Sequence, residues 1–195
     1  MGLDSYLEAE LYVGGGWTHT RQAENAVARN ETWRFDTLLL TMTGMDFPTF
    51  RAKYPNGNYM TLAVEVAYWR KANAIHSWFV ENVQDGKDEC QRSSVQREDL
   101  VTLRNACEEI LATVVKGEPV TKNDGLFGPY ETFPDLTLDT DLAKELLETQ
   151  DGFFFGSTDY GPWYVSNLEE TVQQLDALLN DPAFKDASFY YHASW

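Results

Sequence analysis

Residues 60–83 read MTLAVEVAYWRKANAIHSWFVENV and carry the most regular hydrophobic pattern in the chain. Apolar side chains recur at steps of three and four, at Val64, Tyr68, Ala72, Ile75, Phe79 and Val83. This spacing returns side chains to one face of an α-helix. Gly86 follows closely, and glycine commonly ends a helix. The pattern predicts a single helix over residues 60–83 with one buried stripe.

The rest of the chain predicts elements of both kinds. β-Branched and aromatic residues indicate strands at 6–13, 32–43, 153–155 and 189–195. Apolar periodicity indicates helices at 97–115, at 141–149, and from a capping box at 166–169 to Asp181-Pro182. The chain ends on Trp195, which predicts a tail that is tied into the sheet or covers a pocket. The order of elements predicts an α+β fold, an antiparallel or mixed sheet with about four helices packed on it.

The length of 195 residues predicts one domain, 1–195. Proline and glycine indicate loops at 47–59 and at about 116–139, and a loop as long as the second is often functional. The longest apolar runs are too short to span a bilayer, and the N-terminal residues lack the apolar core of a secretory signal. We therefore expect an intracellular protein with no membrane contact.

Acidic residues outnumber basic ones, mainly in the second half of the chain. The formal net charge is −16, from 31 acidic and 15 basic residues. Residues 106–195 hold 17 acidic and 4 basic residues, a net charge of −13. Phosphate contacts need clustered lysine and arginine, so direct binding of nucleic acid is not expected. An acidic surface can instead remain solvated or meet a basic partner.

Neither a metal nor a cofactor is predicted. Cys90 and Cys107 are too few for a disulfide framework, and neither belongs to a CxxC or HxxxH ligand pair. The chain has no GxSxG, HExxH, GxGxxG or Walker sequence. The absence of these motifs leaves an enzymatic role open but favours a non-enzymatic one.

Two polar clusters are candidates for a ligand site. Aromatic, amide, imidazole and guanidinium groups border one face of the predicted helix, and the turn after Phe155 offers backbone N–H groups and hydroxyls. The first cluster suits a planar or anionic ligand, and the turn suits an anion or a carbonyl group. The candidate ligand residues are Tyr68, Trp69, Arg70, Asn73, His76, Gly156, Ser157 and Asp159. The alternative is structural, with Trp69 packed in the core and the polar groups bonded to nearby backbone.

A further hypothesis gives His76 a catalytic role. Imidazole is the side chain best suited to general acid–base chemistry near neutral pH. It would need a carboxylate or hydroxyl within hydrogen-bonding distance, and Asp159 and Asp4 are the candidates. No other spacing in the chain favours a catalytic triad.

Four stretches together resemble a family of small uncharacterised proteins encoded by bacteriophages and prophage-bearing bacteria. They are residues 1–7, residues 64–80 with YWRKANAIH at 68–76, residues 152–160 with GFFFGSTDY, and Ser194-Trp195. The resemblance covers most of the chain from Tyr68 onward. It implies a setting, phage accessory roles that include inhibition of host defence, rather than an activity. Residues 114–139 depart from the family pattern in length and in their glycine and proline content.

The leading hypothesis is a phage-encoded acidic accessory protein in the cytoplasm of the host bacterium. It would bind and inhibit a host factor with a basic surface, such as a nucleic-acid-targeting defence complex, by mimicking DNA. The candidate partner-binding residues are Asp135, Asp139, Asp141, Glu145, Glu148 and Glu169. The alternatives are a module that binds a small anionic, nucleotide-type ligand, and an enzyme that uses His76 as general acid or base.

Overall fold

The computed structural model describes residues 2–15, 33–55, 59–123 and 129–195. The chain divides into two compact units. One consists of Met1–Ala9 and Val64–Trp195, and the other of Glu10–Ala63. All the candidate site residues belong to the first unit.

The strands in the described ranges form two sheets. They are β1 Asp4–Gly15, β2 Tyr59–Arg70, β3 Ser93–Val95, β4 Val120–Asn123, β5 Pro129–Thr132 and β6 Ser188–Ser194. Four of them form an antiparallel sheet in the order β2-β1-β6-β3, and β4 pairs with β5 separately. In the first sheet, β3 pairs with β6 so that Ser93 lies opposite Tyr191 and Val95 opposite Phe189.

Six helices accompany the sheets in the described residues. They are α1 Trp33–Thr43, α2 Phe47–Lys53, α3 Asn73–Val83, α4 Arg97–Leu111, α5 Thr140–Leu146 and α6 Pro162–Asn180, with a 3-10 turn at Pro182–Phe184. Within the described part of the chain, none of these helices combines the length and the apolar composition that crossing a membrane requires. The predicted α+β class is confirmed, with an antiparallel sheet.

One face of the four-stranded sheet is buried in the core of the larger unit. Along β1, Ser5, Leu7 and Ala9 are buried and the residues between them are partly exposed, as the two-residue period of a strand requires. Phe79 of α3 stacks on Tyr191 of β6, with ring centroids 3.9 Å apart. Helices α4 and α6 pack on each other and add their apolar faces to the same core.

The single helix predicted over residues 60–83 is wrong. Residues up to Arg70 form β2, and α3 follows after a short break. Lys71 in that break has φ of 56°, a left-handed conformation that continues neither a strand nor a helix. Burial in β2 alternates, because Trp69 is buried while its neighbours Tyr68 and Arg70 are exposed. Every side chain of the predicted stripe before Lys71 therefore belongs to a strand.

Two more predictions near the N-terminus differ from the structure. The segment 32–43, predicted as a strand, forms α1 from Trp33 onward, consistent with the helix propensity of its three leucines; residue 32 lies outside the described residues. The segment 47–59, predicted as a loop, contains α2. The Asp46 carboxylate starts this helix by accepting a hydrogen bond from the Thr49 N–H at 2.8 Å. Residues 56–58 lie outside the described part.

The C-terminal half departs from prediction in its details. The loop at 116–139 contains the β4–β5 hairpin, and its residues 124–128 are not among those described. Helix α6 begins at Pro162, ahead of the predicted capping box at 166–169, because proline suits the first turn of a helix. The strand at 6–13, the helices at 97–115 and 141–149, the stop at Asp181 and the terminal strand are confirmed within a few residues.

The two edges of the four-stranded sheet are β2 and β3. Strand β3 is only three residues long. On β2, the Tyr68 backbone N–H donates to Oε1 of Gln174 on α6 at 2.8 Å. A side chain thus occupies a backbone donor that would otherwise face outward from the sheet.

Candidate functional site

Asn73, at the start of α3, holds the segment that follows α5. Its side-chain nitrogen donates to the carbonyl oxygens of Phe155 at 3.3 Å and Ser157 at 2.9 Å. Its side-chain oxygen accepts from the Gln150 backbone N–H at 3.3 Å. Asn73 is buried, so these bonds satisfy an amide that could not otherwise be placed in the core. This side chain fixes a loop and is not presented to a ligand.

The turn at 156–159 is built by close packing and by a local hydrogen-bond network. Gly156 has φ of +100°, and a Cβ there would lie 2.9 Å from the Lys71 carbonyl oxygen, so only glycine fits without strain. The Ser157 hydroxyl donates to Asp159 Oδ2 at 2.8 Å and accepts from the Asp159 N–H at 3.1 Å. The groups proposed to bind an anion are therefore bonded to each other.

The three candidates on β2 lie on two faces of the sheet, as successive residues of a strand must. Trp69 is in the core and its indole N–H donates to Thr171 Oγ1 at 2.9 Å. Tyr68, on the other face, donates its hydroxyl hydrogen to Asp4, and this bond is the main reason that the pKa of Tyr68 is raised. Arg70 is exposed. The eight predicted ligand residues thus do not surround one space.

His76 is fully buried within a chain of hydrogen bonds that runs from the core to the surface. Its Nδ1 lies 2.7 Å from the Tyr191 hydroxyl, which in turn lies 3.1 Å from Ser5 Oγ. Its Nε2 lies 3.0 Å from Asp88 Oδ2. Asp88 Oδ1 accepts from the Trp195 indole N–H at 3.0 Å. We call this series, from Ser5 to Trp195, the buried polar chain.

The contact with Asp88 shows where one hydrogen of the His76 imidazole lies. A carboxylate only accepts hydrogen bonds, so His76 Nε2 carries a hydrogen and donates it. At Nδ1 a neutral ring accepts from Tyr191, whereas a charged ring donates to it. Burial raises the pKa of Tyr191, which keeps that hydroxyl protonated. Both ring nitrogens of His76 are occupied, and Asp88 and Tyr191 are its partners, in place of the predicted Asp159 and Asp4.

The outer end of the buried polar chain opens into a groove of about 560 Å³. We call it the aromatic groove, and its lining residues are Gly2, Asp88, Phe153, Phe154, Phe155 and Trp195. The side chain of Asp88 is 20% exposed, and that of Trp195 is 49% exposed. The groove therefore offers aromatic rings around one carboxylate that the protein holds in a fixed orientation.

The local backbone explains why the aromatic segment is exposed instead of forming the predicted buried strand. Gly152 leaves room for the Phe155 ring, since a Cβ there would lie 2.6 Å from it. Phe154 has φ of 65° and is 54% exposed, while Phe153 is 85% exposed. Only Phe155 turns inward, where its ring meets His76 edge-on with centroids 5.5 Å apart. The predicted strand at 153–155 is wrong because left-handed conformations at Phe154 and Gly156 interrupt it.

The sequence predictions missed most of the aromatic groove. Of its lining residues, only Trp195 carried a usable signal, its position at the chain end as a large apolar residue. Asp88 lies 12 positions from His76, a separation that no helical or strand period connects. Tyr191 and Trp195 come from β6 and the residue after it, and only sheet pairing brings them to α3.

The six predicted partner-binding acids serve different purposes. Asp139 caps α5 by accepting from two backbone N–H groups at 3.1 Å, and Glu169 pairs with Lys116 at 2.6 Å. The other four side chains are exposed: Asp135, Asp141, Glu145 and Glu148. Asp141 and Glu145 lie one turn apart on α5, which puts them on the same side of the helix.

Metal ligation finds no support in the described part of the chain, where no group of three or more His, Cys, Asp or Glu side chains could hold an ion. Cys90 is exposed and has φ of 56°. Cys107 is buried, and burial raises the pKa of its thiol to about 12. The side chains that line the aromatic groove supply aromatic rings and one carboxylate. No family model, curated protein or solved structure matches this chain.

Proposed function

We propose that the protein is a phage-encoded acidic accessory protein that binds and inhibits a host factor with a basic surface, of the kind that engages nucleic acid. The observation that carries the proposal is a group of exposed acids that we call the acidic strip: Asp141 and Glu145 on one side of α5, and Glu148 two residues beyond its end. Neighbouring carboxylates can occupy a groove built for phosphates. The resemblance to phage-encoded proteins supplies the setting.

The charge of the whole molecule supports the same role. A net charge of −16 favours encounter with a basic surface and disfavours encounter with nucleic acid. Lys144 is the basic residue in the last turn of α5, and it stands among the acids of the strip. Lys116 pairs with Glu169, another of the predicted partner-binding acids.

An enzymatic role for His76 has less support. A general acid or base must reach the proton it transfers, and the imidazole of His76 is fully buried with both nitrogens bonded. Its hydrogen-bond chain reaches the surface through Asp88 and Trp195, not at the imidazole. The nucleotide-binding alternative also loses support, because the carboxylate in the aromatic groove would repel phosphate.

The proposal is tested by affinity capture from bacterial lysate at low and moderate salt, followed by an inhibition assay on what is captured. The test variant reverses the charge of Asp141, Glu145 and Glu148 to lysine. The matched control reverses three exposed acids elsewhere in the same unit, Glu65, Glu81 and Asp186. We expect a nucleic-acid-binding complex that is retained by the wild type and the control, lost with salt, and neither captured nor inhibited by the test variant. Capture of the same partner at both salt concentrations, and equally by the wild type and the test variant, would refute the proposal.

A further inference from the structure

The aromatic groove has a feature that a simple apolar pocket lacks, a carboxylate in its lining that hydrogen bonds hold in place. Asp88 is oriented by His76 on one oxygen and by the Trp195 indole on the other. Each carboxylate oxygen has two lone pairs, so each retains one acceptor position. An apolar occupant would remove water from these positions without replacing its hydrogen bonds, which is costly. The occupant that fits must therefore donate hydrogen bonds.

The surrounding aromatic rings favour an occupant that carries a positive charge. The faces of phenylalanine and tryptophan rings attract cations, and a neighbouring carboxylate adds to the attraction. Phe153 and Phe154 lie with ring centroids 4.2 Å apart at 56°, and the Phe155 and Trp195 centroids are 6.4 Å apart. The net charge of the protein, −16, acts in the same direction. The groove is complementary to an organic cation.

The groove also distinguishes between the two kinds of cation that protein side chains offer, guanidinium and ammonium. A guanidinium is planar, is weakly hydrated, stacks on aromatic faces and donates hydrogen bonds in a fork that matches a carboxylate. An ammonium is compact and strongly hydrated, so it gains less from stacking. The groove is open, with Phe153 85% exposed, and exposed aromatic rings of this kind are enriched where proteins meet proteins. A side chain from a partner protein suits such a site.

We propose that the aromatic groove binds an arginine side chain of the partner protein, stacked on Phe153 and Phe154 and hydrogen bonded to Asp88. This inference rests on the proposed function for the partner's basic character and adds the residue that the partner inserts. The acidic strip supplies long-range attraction, and residues 149–152 connect it along the chain to the aromatic segment. The groove supplies the specific contact.

The experiment titrates the protein with a short blocked peptide that carries arginine between glycines. Two further peptides carry lysine or citrulline, the neutral isostere, at the same position. The Trp195 indole N–H resonance is followed because it reports on the Asp88 contact directly. We expect this resonance to shift with arginine, with affinity about tenfold weaker for citrulline and several-fold weaker for lysine. Since the protein is unchanged between peptides, this comparison does not depend on any variant folding.

Variants then locate the contact. Phe153→Ala removes a ring that is 85% exposed and should weaken arginine binding about tenfold. Trp163→Ala is the matched control, because Trp163 is also a large exposed ring, at 54%, and does not line the groove. It should bind as the wild type does. Equal affinity for arginine and citrulline, or undiminished binding by Phe153→Ala, would overturn the inference.

The two proposals fail in different ways. Peptide binding that is lost on charge reversal of Asp141, Glu145 and Glu148 but unaffected by Phe153→Ala removes the groove inference and leaves the proposed function standing. Arginine binding in the groove, together with lysate capture that is indifferent to salt and to charge reversal, removes the proposed function and retains an arginine-binding groove.

Discussion

The aromatic rings of the core and those of the aromatic groove are the same residue types in opposite surroundings. Trp69, Phe79 and Tyr191 are buried, and the polar atoms of the first and last are hydrogen bonded. Phe153 and Phe154 are exposed on a turn with a left-handed residue. The first group stabilises the fold by removing apolar area from water, and the second leaves that area available to a partner. Substitutions should therefore separate stability from binding.

The largest stability effect is expected in the core. Phe79→Ala removes the ring that stacks on Tyr191 at 3.9 Å and leaves a cavity between α3 and the sheet. We expect the free energy of unfolding to fall by about 3–5 kcal/mol. Urea denaturation followed by circular dichroism measures it. A loss below about 1 kcal/mol would mean that the core can close around the gap, and the contrast between the two groups of rings would weaken.

Asn73 connects the two regions, so its loss should affect both. Asn73→Ala removes the bonds to Phe155, Ser157 and Gln150, leaving their backbone groups without this partner. We expect a loss of about 1–3 kcal/mol in unfolding free energy, with faster amide hydrogen exchange at Gln150. Asn82→Ala is the control, because that exposed side chain makes one bond within its own helix, to Trp78. Similar exchange in both variants would contradict the role assigned to Asn73.

The free energy of unfolding should depend little on the exposed rings of the aromatic groove. Phe153→Ala removes a side chain that is 85% exposed, and we expect the unfolding free energy to change by no more than about 0.5 kcal/mol. The same denaturation experiment measures it beside Phe79→Ala. A substantial loss of stability would show that Phe153 is part of the packed structure, and the comparison between core and groove would then fail.

The reactivity of the two cysteines tests the same contrast between buried and exposed side chains, without any substitution. Burial raises the pKa of Cys107 to about 12, so its thiolate fraction near pH 8 is very small, and the side chain is also shielded. Cys90 is exposed. We expect iodoacetamide at about pH 8 to modify Cys90 alone in the folded protein and both residues in urea, as peptide mass spectrometry can show. Modification of Cys107 in the native state would indicate that the core opens.

Some features of the fold followed from local sequence, and others did not. Helix α4 and the end of α6 at Asp181 were predicted because their periodicity and end signals agree. Residues 60–83 misled because Val64 and Tyr68 are four positions apart. Four residues return to the same side in a strand and nearly the same side in a helix. The burial of Trp69 between two exposed neighbours, which is seen only in the structure, distinguishes the strand from a helix.

The site was harder to predict because it depends on pairing between distant strands. Asn73 and His76 were identified as polar groups of interest, yet both turned out to hydrogen bond to buried residues, Phe155 and Tyr191. Their importance is in positioning the groove. Phe153 and Phe154 were predicted to form a strand from their aromatic character, whereas a left-handed turn leaves both of them exposed. Such a turn is not readable from three consecutive phenylalanines.

The hydrogen bond between Gln174 and the Tyr68 backbone has a consequence for how this protein meets others. An exposed strand edge invites an incoming strand, which is a route both to peptide capture and to fibrous aggregation. At one edge the Tyr68 donor is already satisfied, and at the other β3 offers only three residues. An incoming strand therefore finds the Tyr68 donor taken at one edge and few residues to pair with at the other. This arrangement favours recognition through side chains, which can distinguish partners that present the same backbone groups.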